Sequence, residues 1–244
     1  TETDIPLPDK EPDPFYEYPE IDGLGFIRPT AMPSMGTIFK ARDDESLITT
    51  DDIVFIDPAS EGRSPAVGDR LFSFHTVDPI RDPDTQDIIG VQHVLTGVVD
   101  IIGIEEGLAI GRVFKAFREI SLHDQVMAYW QREKEIYFRD YPSDVTGKVI
   151  KAADDQGIIG QSMIVFIDKG RRDGVAVGDA LDIFHLDSAK TDPGKYRTAD
   201  LPPEHVGQVL VLHTEEETAT AIIRDSKKSI TPGDKVGGHA PFIP

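Results

Sequence analysis

The stretch that decides the fold occurs twice: Gly36 to Asp57 reads GTIFKARDDESLITTDDIVFID, and Gly147 to Asp168 reads GKVIKAADDQGIIGQSMIVFID. The second copy follows the first at an offset of 111 residues and without a gap. Two copies of about 100 residues each have the size of two small domains. A residue kept in both copies is first explained by a fold that is built twice. A chemical site is therefore expected where the copies differ or where they meet.

Both copies have the pattern of β structure. Each repeated stretch ends in a continuous apolar run, Ile53–Asp57 or Ile164–Asp168, that is too short for a helix and rich in β-branched residues. These runs predict strands that are buried on both faces. About six such short runs, separated by turns, follow one another in each copy. The expected fold class is all-β, with two tandem small barrels or sandwiches of about six strands each, closed to hide their edges.

Gly-Asp pairs recur at the same places in the two copies. Gly can adopt a positive φ and Asp can bond to nearby backbone, so the pairs are typical of turns. We interpret Gly68, Asp69, Gly178 and Asp179 as structural, together with the repeated turn aspartates Asp124 and Asp234. A long polar loop is expected in each copy, at 78–96 and at 187–205.

The chain divides into five segments by composition. Residues 1–22 carry eight acids, one lysine and five prolines, which predicts a linker or tail, although Phe15, Tyr16 and Tyr18 could dock onto the first domain. The predicted segments are an acidic Pro-rich tail at 1–22, a first β repeat at 23–127, an aromatic strap at 128–143, a second β repeat at 144–238 and a C-terminal tail at 239–244.

The strap between the copies holds the only Trp and three of the six Tyr of the chain. We expect it to be extended and to pack between the two domains, because so many aromatic side chains seldom stay in a free linker. If the chain makes contacts through a surface, Trp130, Tyr137 and Phe138 are the candidate residues.

Composition excludes several classes of function. A formal charge of −19 argues against nucleic acid as a partner, since phosphate contacts need clustered Lys and Arg. No run approaches the ~20 apolar residues of a membrane helix, so membrane insertion is not expected. The chain has no cysteine, and it lacks the spacings typical of metal ligands, nucleotide loops and activated nucleophiles. We therefore expect no catalytic residue, no metal ligand and no cofactor.

Two other functions stay open as alternatives. Asp57 and Asp168 end identical Val-Phe-Ile-Asp runs, which resembles the one aspartate per lobe of a bilobal hydrolase with two paired carboxyls. Pro-Ala and Lys-Gly follow these aspartates, where such enzymes have Thr or Ser and then Gly. The repeated histidines, His75 and His185, are interpreted as structural. The last alternative is a small-ligand or glycan-binding barrel whose rim is formed by the two polar loops.

The chain also resembles a known arrangement. The runs GKVIKAADD, IVFIDKGRRDGVAVGDALDIF, VGQVLVL and ITPGDKV resemble the small C-terminal β domain of flagellar assembly protein T. The tandem arrangement, entered through Gly25-Phe26-Ile27-Arg28-Pro29, is similar to the region that follows the LysM module in exported bacterial LysM-containing proteins. The similarity extends over nearly everything after residue 22.

This resemblance implies an exported protein of the bacterial periplasm or cell envelope and no catalytic residue. It implies a binding or spacer module that is associated with peptidoglycan and mediates protein interactions. The expected partner is an envelope protein, peptidoglycan or both. The chain contains no LysM module, so the glycan binding of that module is not assigned to it.

Overall fold

The computed structural model describes residues 14–42, 47–139, 145–154, 158–190 and 198–238. Over these residues the chain is all-β, apart from two single 3-10 turns. The strands in chain order are β1 (Phe15–Glu17), β2 (Phe26–Arg28), β3 (Gly36–Ala41), β4 (Ile53–Pro58), β5 (Arg70–Arg81), β6 (Ile88–Glu105), β7 (Leu108–Ala116), β8 (Gln125–Ala128), β9 (Glu135–Tyr137), β10 (Thr146–Ala152), β11 (Ile164–Ile167), β12 (Ala180–His185), β13 (Ser188–Lys190), β14 (Thr198–Asp200), β15 (Glu204–Thr214), β16 (Ala219–Ser226) and β17 (Lys235–Gly237).

The repeated sequence folds into the same closed ring twice. In the first barrel the strands follow the order β3-β4-β7-β6-β5-β8, and β8 pairs back onto β3. In the second barrel the order is β10-β11-β16-β15-β12-β17, and β17 pairs back onto β10. Each strand thus has a counterpart at the same place in the other ring. The predicted fold class, two small six-stranded barrels, is confirmed.

Each barrel has its own apolar interior and the same irregularity in its first strand. The ladder register shifts between Ile38 and Lys40 in β3, and between Val149 and Lys151 in β10. Such bulges tighten the local twist and help a small sheet to close. Every strand of a barrel turns one side towards the interior of that barrel. The two interiors form separate clusters of buried side chains, mostly Ile, Val, Leu and Ala, so each barrel has its own core.

A long hairpin replaces the polar loop that the sequence predicted at 78–96. β5 and β6 stay paired out to Arg81 and Ile88, so only residues 82–87 form the turn. The prediction was wrong because Ile80 is buried against the second barrel, together with the partly buried Ile89. The corresponding stretch of the second copy contains the short pair β13 and β14, and residues 191–197 lie outside the described residues.

Residues 14–22 are part of the folded structure, so their assignment to a tail was wrong. β1 pairs with β9 of the strap, and Ile21 is buried. The physical reason is apolar contact with the second barrel and the strap. The cluster comprises Ile21, Leu24, Ile136, Leu210, Leu212 and Ile222, with Tyr16, Tyr18, Phe138 and Ile164 against it. Residues 1–13 and 239–244 lie outside the described residues.

Strand β2 joins the two barrels by hydrogen bonds. Along one edge it pairs with β6 of the first barrel. From the second barrel, the Thr218 hydroxyl donates to the Ile27 carbonyl oxygen at 2.7 Å, and the Thr220 hydroxyl donates to the Gly25 carbonyl oxygen at 2.9 Å. Both bonds are buried, where an unmade bond would cost about 1–3 kcal/mol. Hydroxyl groups at the beginning of β16 are therefore hydrogen-bonded to the backbone around β2.

Apolar and charged contacts extend this junction. Ile27 and Ile80 of the first barrel pack with Ile150 and Phe166 of the second. Beside them, the Lys148 ammonium lies 2.9 Å from Asp82 Oδ1 and 2.8 Å from Asp84 Oδ2 of the long hairpin. Lys235 lies 3.1 Å from the same Asp84 carboxylate. The hairpin turn thus presents acids to a basic edge of the second barrel.

This charged contact predicts a loss of stability in acid. The hydrogen bond from Lys148 lowers the pKa of Asp82 from its ordinary 3.8 to about 2. The stability contributed by the ionised Asp82 carboxylate is therefore fully present above about pH 4. It is lost as the pH falls towards 2, because Asp82 takes up its proton at a lower pH in the folded state than in the unfolded chain. We expect Asp82→Asn to lower the free energy of unfolding at pH 7 by about 1–2 kcal/mol. The loss is limited because Lys148 still has the Asp84 carboxylate as an ion-pair partner.

Urea unfolding measured at steps between pH 2 and pH 7 tests this prediction. The difference between the parent chain and Asp82→Asn should shrink below pH 4. Asp87→Asn is the matched control, because the Asp87 carboxylate accepts from the Thr85 hydroxyl within the same turn. If the unfolding free energies of the parent chain and Asp82→Asn differed by the same amount at every pH, the ion pair between Asp82 and Lys148 would not be the source of the stability.

Candidate functional site

The three aromatic residues that the sequence proposed as a surface have different environments. Trp130 is partly buried, with its ring centroid 4.9 Å from that of Phe72 in the first barrel. Phe138 packs against the cluster on the second barrel, and the Arg224 guanidinium carbon lies 4.7 Å from its ring centre. Tyr137 is 50% exposed. Of these three residues, Tyr137 is the one that presents much of its ring to solvent, next to the ring of Phe15.

A groove of about 420 Å³ runs between the strap and the second barrel. Its apolar lining comes from Ile136, Val177 and Leu212, and charged groups of both signs surround it. The full lining is Arg132, Glu133, Glu135, Ile136, Tyr137, Arg139, Val177, Leu212 and His213. Apolar floors with a few charged or polar groups are typical of ligand pockets and protein-binding clefts. We therefore take this groove, the strap groove, as the candidate site.

The Gly-Asp turn of the second barrel holds one wall of the strap groove. The Arg139 amide donates to the Gly178 carbonyl oxygen at 3.0 Å, and the Arg139 guanidinium lies 3.2 Å from the Asp179 carboxylate. Gly178 has a φ of +94°, and a Cβ placed on it would lie 2.1 Å from the Tyr137 carbonyl oxygen. Only glycine combines this backbone conformation with so close an approach. The turn thus fixes the strap on the barrel.

Arg132 anchors the other end of the groove. Its Nη1 donates to the carbonyl oxygens of Ile21 at 2.9 Å and Leu24 at 2.7 Å, which ties the strap to the N-terminal segment. Burial lowers the pKa of Arg132 to about 10, so the side chain is still charged at neutral pH. In the part of the chain that the structure describes, its Nε and Nη2 are buried without a hydrogen-bond partner. A buried cation at this position gives the groove a positive end.

His213 lies beside this cation and links the groove to the barrel junction. Its Nε2 is 3.0 Å from Glu215 Oε1, and the Arg28 Nε is 3.5 Å from the other carboxylate oxygen. Burial lowers the pKa of His213, which favours the neutral ring at pH 7. Neither His213 nor Arg132 was singled out by the sequence, because both lie in stretches without a recognisable motif.

The structure does not pair Asp57 with Asp168. Asp57 is exposed on β4 of the first barrel. Asp168 follows β11 of the second barrel, where its Oδ1 accepts from the Lys148 amide at 2.6 Å, and burial raises its pKa. No hydrogen bond joins the two carboxylates among the described residues. The shared proton of a two-carboxylate hydrolase requires such a contact.

The repeated histidines contact the repeated turn aspartates. His75 Nδ1 lies 3.5 Å from Asp124 Oδ1, and His185 Nδ1 lies 2.7 Å from Asp234 Oδ1. Because the same pair occurs at the same place in both barrels, we interpret it as part of the fold. Each pair fastens the last turn of a barrel to the strand beside it.

Some kinds of site are not found within the described ranges. No group of three or more His, Cys, Asp or Glu side chains there could hold a metal ion. Nor does that part of the chain contain a helix long and apolar enough to cross a membrane. No family model matches this chain, and no curated protein matches it. The strap groove is therefore the candidate site on its geometry alone.

Proposed function

We propose that this chain is a non-catalytic binding module whose docked barrels hold the strap groove in a fixed shape for an extended segment of a protein partner. The observation that carries the proposal is the attachment of the strap at both ends. Arg139 and Gly178 hold it on the second barrel, and Arg132 holds it on the N-terminal segment. A preorganised groove binds without the entropic cost of ordering its own walls.

The chemistry of the groove suits a peptide better than a sugar or a small anion. Its floor is apolar, which favours apolar side chains of a partner. Its rim offers a cation from Arg139 and carboxylates from Glu133 and Glu135, which can pair with charges of both signs, while the buried Arg132 makes one end of the groove positive. Tyr137 stands beside the groove as an exposed aromatic residue, the type that often contributes most to binding free energy.

The cellular setting is proposed from the sequence resemblance. In this proposal the protein is exported to the bacterial envelope or periplasm, and a LysM-type module elsewhere in the protein attaches it to peptidoglycan. The two barrels then position an envelope protein near the wall. The junction through β2 supports a rigid arrangement, since it combines buried hydrogen bonds with apolar contacts.

Co-sedimentation of the purified chain with envelope sacculi tests this function. We expect the chain to pellet with sacculi that retain their attached proteins and to stay in solution with bare sacculi. Tyr137→Ala should weaken the pelleting about tenfold or more, as expected for a central aromatic contact. Leu122→Ala is the matched control, since Leu122 has the same 50% exposure and lies in a turn of the first barrel.

Each other outcome would contradict a part of the proposal. If the chain pelleted with bare sacculi, its ligand would be glycan or stem peptide and not a protein. A glycan-binding barrel is the alternative that the sequence left open. Absence of the chain from both pellets would leave a spacer without a binding role. Equal losses for Tyr137→Ala and Leu122→Ala would remove the strap groove from the proposal.

A further inference from the structure

A second cavity, of about 200 Å³, lies where the N-terminal segment and the two barrels meet. Residues within 18–24 form one wall, residues 115–118 of the first barrel form another, and Ala153, Asp154 and Ile164 of the second barrel form the third. Ligand sites occur preferentially at such interfaces between domains. None of the residues that line this cavity, the seam pocket, belongs to the strap groove.

Hydrogen bonds hold the two barrel walls of the seam pocket in place. On the first barrel, the Phe117 amide donates to the Thr96 carbonyl oxygen at 2.9 Å. On the second barrel, the Ala153 amide donates to the Ile164 carbonyl oxygen at 2.9 Å. The Ala153 carbonyl oxygen in turn accepts from the Gln92 side chain of the first barrel at 3.0 Å, which joins the two walls. Walls that are already in place spare a ligand the entropic cost of ordering them.

Part of the lining of the seam pocket is apolar. Leu24 is buried, and Ala153 and Ile164 are partly buried. Phe117 packs on Gly23, where an added Cβ would lie 3.0 Å from the ring carbon Cγ. Pockets for drug-sized molecules have volumes of about 300–1,000 Å³, so this cavity suits a smaller ligand. Its apolar part has room for one short side chain.

Two charged groups at the seam pocket have no partner of opposite charge. Arg118 Nη1 lies 3.9 Å from Asp154 Oδ1, so these two form a pair between the barrels. Within the described part of the chain, however, the Lys115 ammonium has no carboxylate partner and the Glu20 carboxylate has no cationic partner. The Tyr18 hydroxyl lacks a hydrogen-bond partner there as well. Burial raises the pKa of Tyr18, so its hydroxyl is neutral at pH 7 and can donate or accept.

These unpaired groups match the charges of a small zwitterion. The Lys115 ammonium suits a carboxylate, and the Glu20 carboxylate suits an ammonium group. A purely anionic ligand would be repelled by Glu20 and a purely cationic ligand by Lys115, so like charges disfavour both. An α-amino acid carries the two charges on neighbouring groups and adds a side chain for the apolar part of the lining.

We propose that the seam pocket binds a free α-amino acid with an apolar side chain. Lys115 pairs with the carboxylate of this ligand, and Glu20 pairs with its ammonium group. Because the ligand contacts the N-terminal segment and both barrels, its binding also stabilises their docked arrangement. The inference goes beyond the proposed function, since it uses none of the residues that line the strap groove.

Two-dimensional NMR of the full chain, titrated into the millimolar range with free alanine, valine, leucine, methionine and phenylalanine in turn, tests the proposal. At least one of these should shift the amide signals of Gly23, Ala116 and Ala153. The same amino acid is then compared with its N-acetyl form, which lacks the ammonium group, and with its amide form, which lacks the carboxylate. Each blocked form should bind about tenfold more weakly, as expected for the loss of one charged hydrogen bond near the surface.

Two substitutions assign the charges to their residues. Glu20→Gln should abolish the preference for the free amino acid over its N-acetyl form, and Lys115→Gln should abolish the preference over its amide form. Glu119→Gln and Lys134→Gln are the matched controls, because both residues are exposed outside the seam pocket, and they should keep both preferences. The proposal would be overturned if none of the five amino acids shifted these signals, if the parent chain bound free and blocked forms equally, or if the shifts were confined to the strap groove.

Discussion

Phe166→Ala is expected to lower the free energy of unfolding by about 3–5 kcal/mol, the usual cost of truncating a fully buried Phe. Phe166 is 0% exposed although it points out of its own barrel, because the first barrel covers it. The truncation opens a cavity between the barrels, so the junction is weakened along with the global stability. Guanidinium unfolding measures the loss, and a second transition is expected as the barrels begin to unfold separately.

The duplicated fold supplies a matched control for this substitution. Phe55 has the same place in the ladder and the same flanking sequence, Ile-Val-Phe-Ile-Asp, but it is only partly buried on the outer side of the first barrel. Phe55→Ala should cost below about 1.5 kcal/mol, since the residue is only partly removed from water. Equal losses at the two positions would contradict the tight junction between the barrels.

Gly178→Ala is expected to lower the free energy of unfolding by about 2–4 kcal/mol. Overpacking costs about 1–3 kcal/mol, and the added Cβ would lie 2.1 Å from the Tyr137 carbonyl oxygen. The left-handed backbone of Gly178 adds about 1 kcal/mol for any residue with a Cβ. The strap has to move away from the turn, which removes the bond between Arg139 and Gly178. Denaturant unfolding gives the energy, and protease cleavage within 128–139 reports release of the strap.

Gly68→Ala is the corresponding change in the first barrel. Gly68 has a φ of +91°, but no atom lies within 4 Å of the position of its added Cβ. Only the backbone strain of about 1 kcal/mol remains, and the strap should stay resistant to protease. If both substitutions cost the same, the close approach between Gly178 and the strap is not a source of stability. If only the energy differs and cleavage does not, the strap is held by Arg132 instead.

The fold was predictable because its signals are local and occur twice. Strand runs such as Ile53–Asp57 and turn signatures such as Gly68-Asp69 depend on neighbouring residues, and the second copy repeats them in register. The long hairpin was not predictable, because its outer half is polar. The pairing of β5 with β6 continues there because Ile80 packs against apolar side chains of the second barrel. The N-terminal segment was misjudged for the same reason, as its few apolar residues are buried by distant strands.

The candidate site was predictable only in outline. The aromatic content of the strap indicated a packing element, and the strap does form one wall of the groove. The exposure of each ring depends on its neighbours in space: Trp130 is covered by residues of the first barrel, while Tyr137 is left open. Arg132 and Leu212 were missed, because a side chain on an ordinary strand or strap has no local sign that a groove lies beside it.

The sequence by itself determined that this protein builds one six-stranded barrel twice, since continuous apolar runs and turn chemistry are properties of short stretches. Only the tertiary structure decided what the two barrels do differently. The run Ile-Val-Phe-Ile-Asp is identical in both copies, yet Phe166 is fully buried and Phe55 is only partly buried. The reason is that the inner side of a strand faces its own barrel, whereas the outer side is covered only where another part of the chain docks.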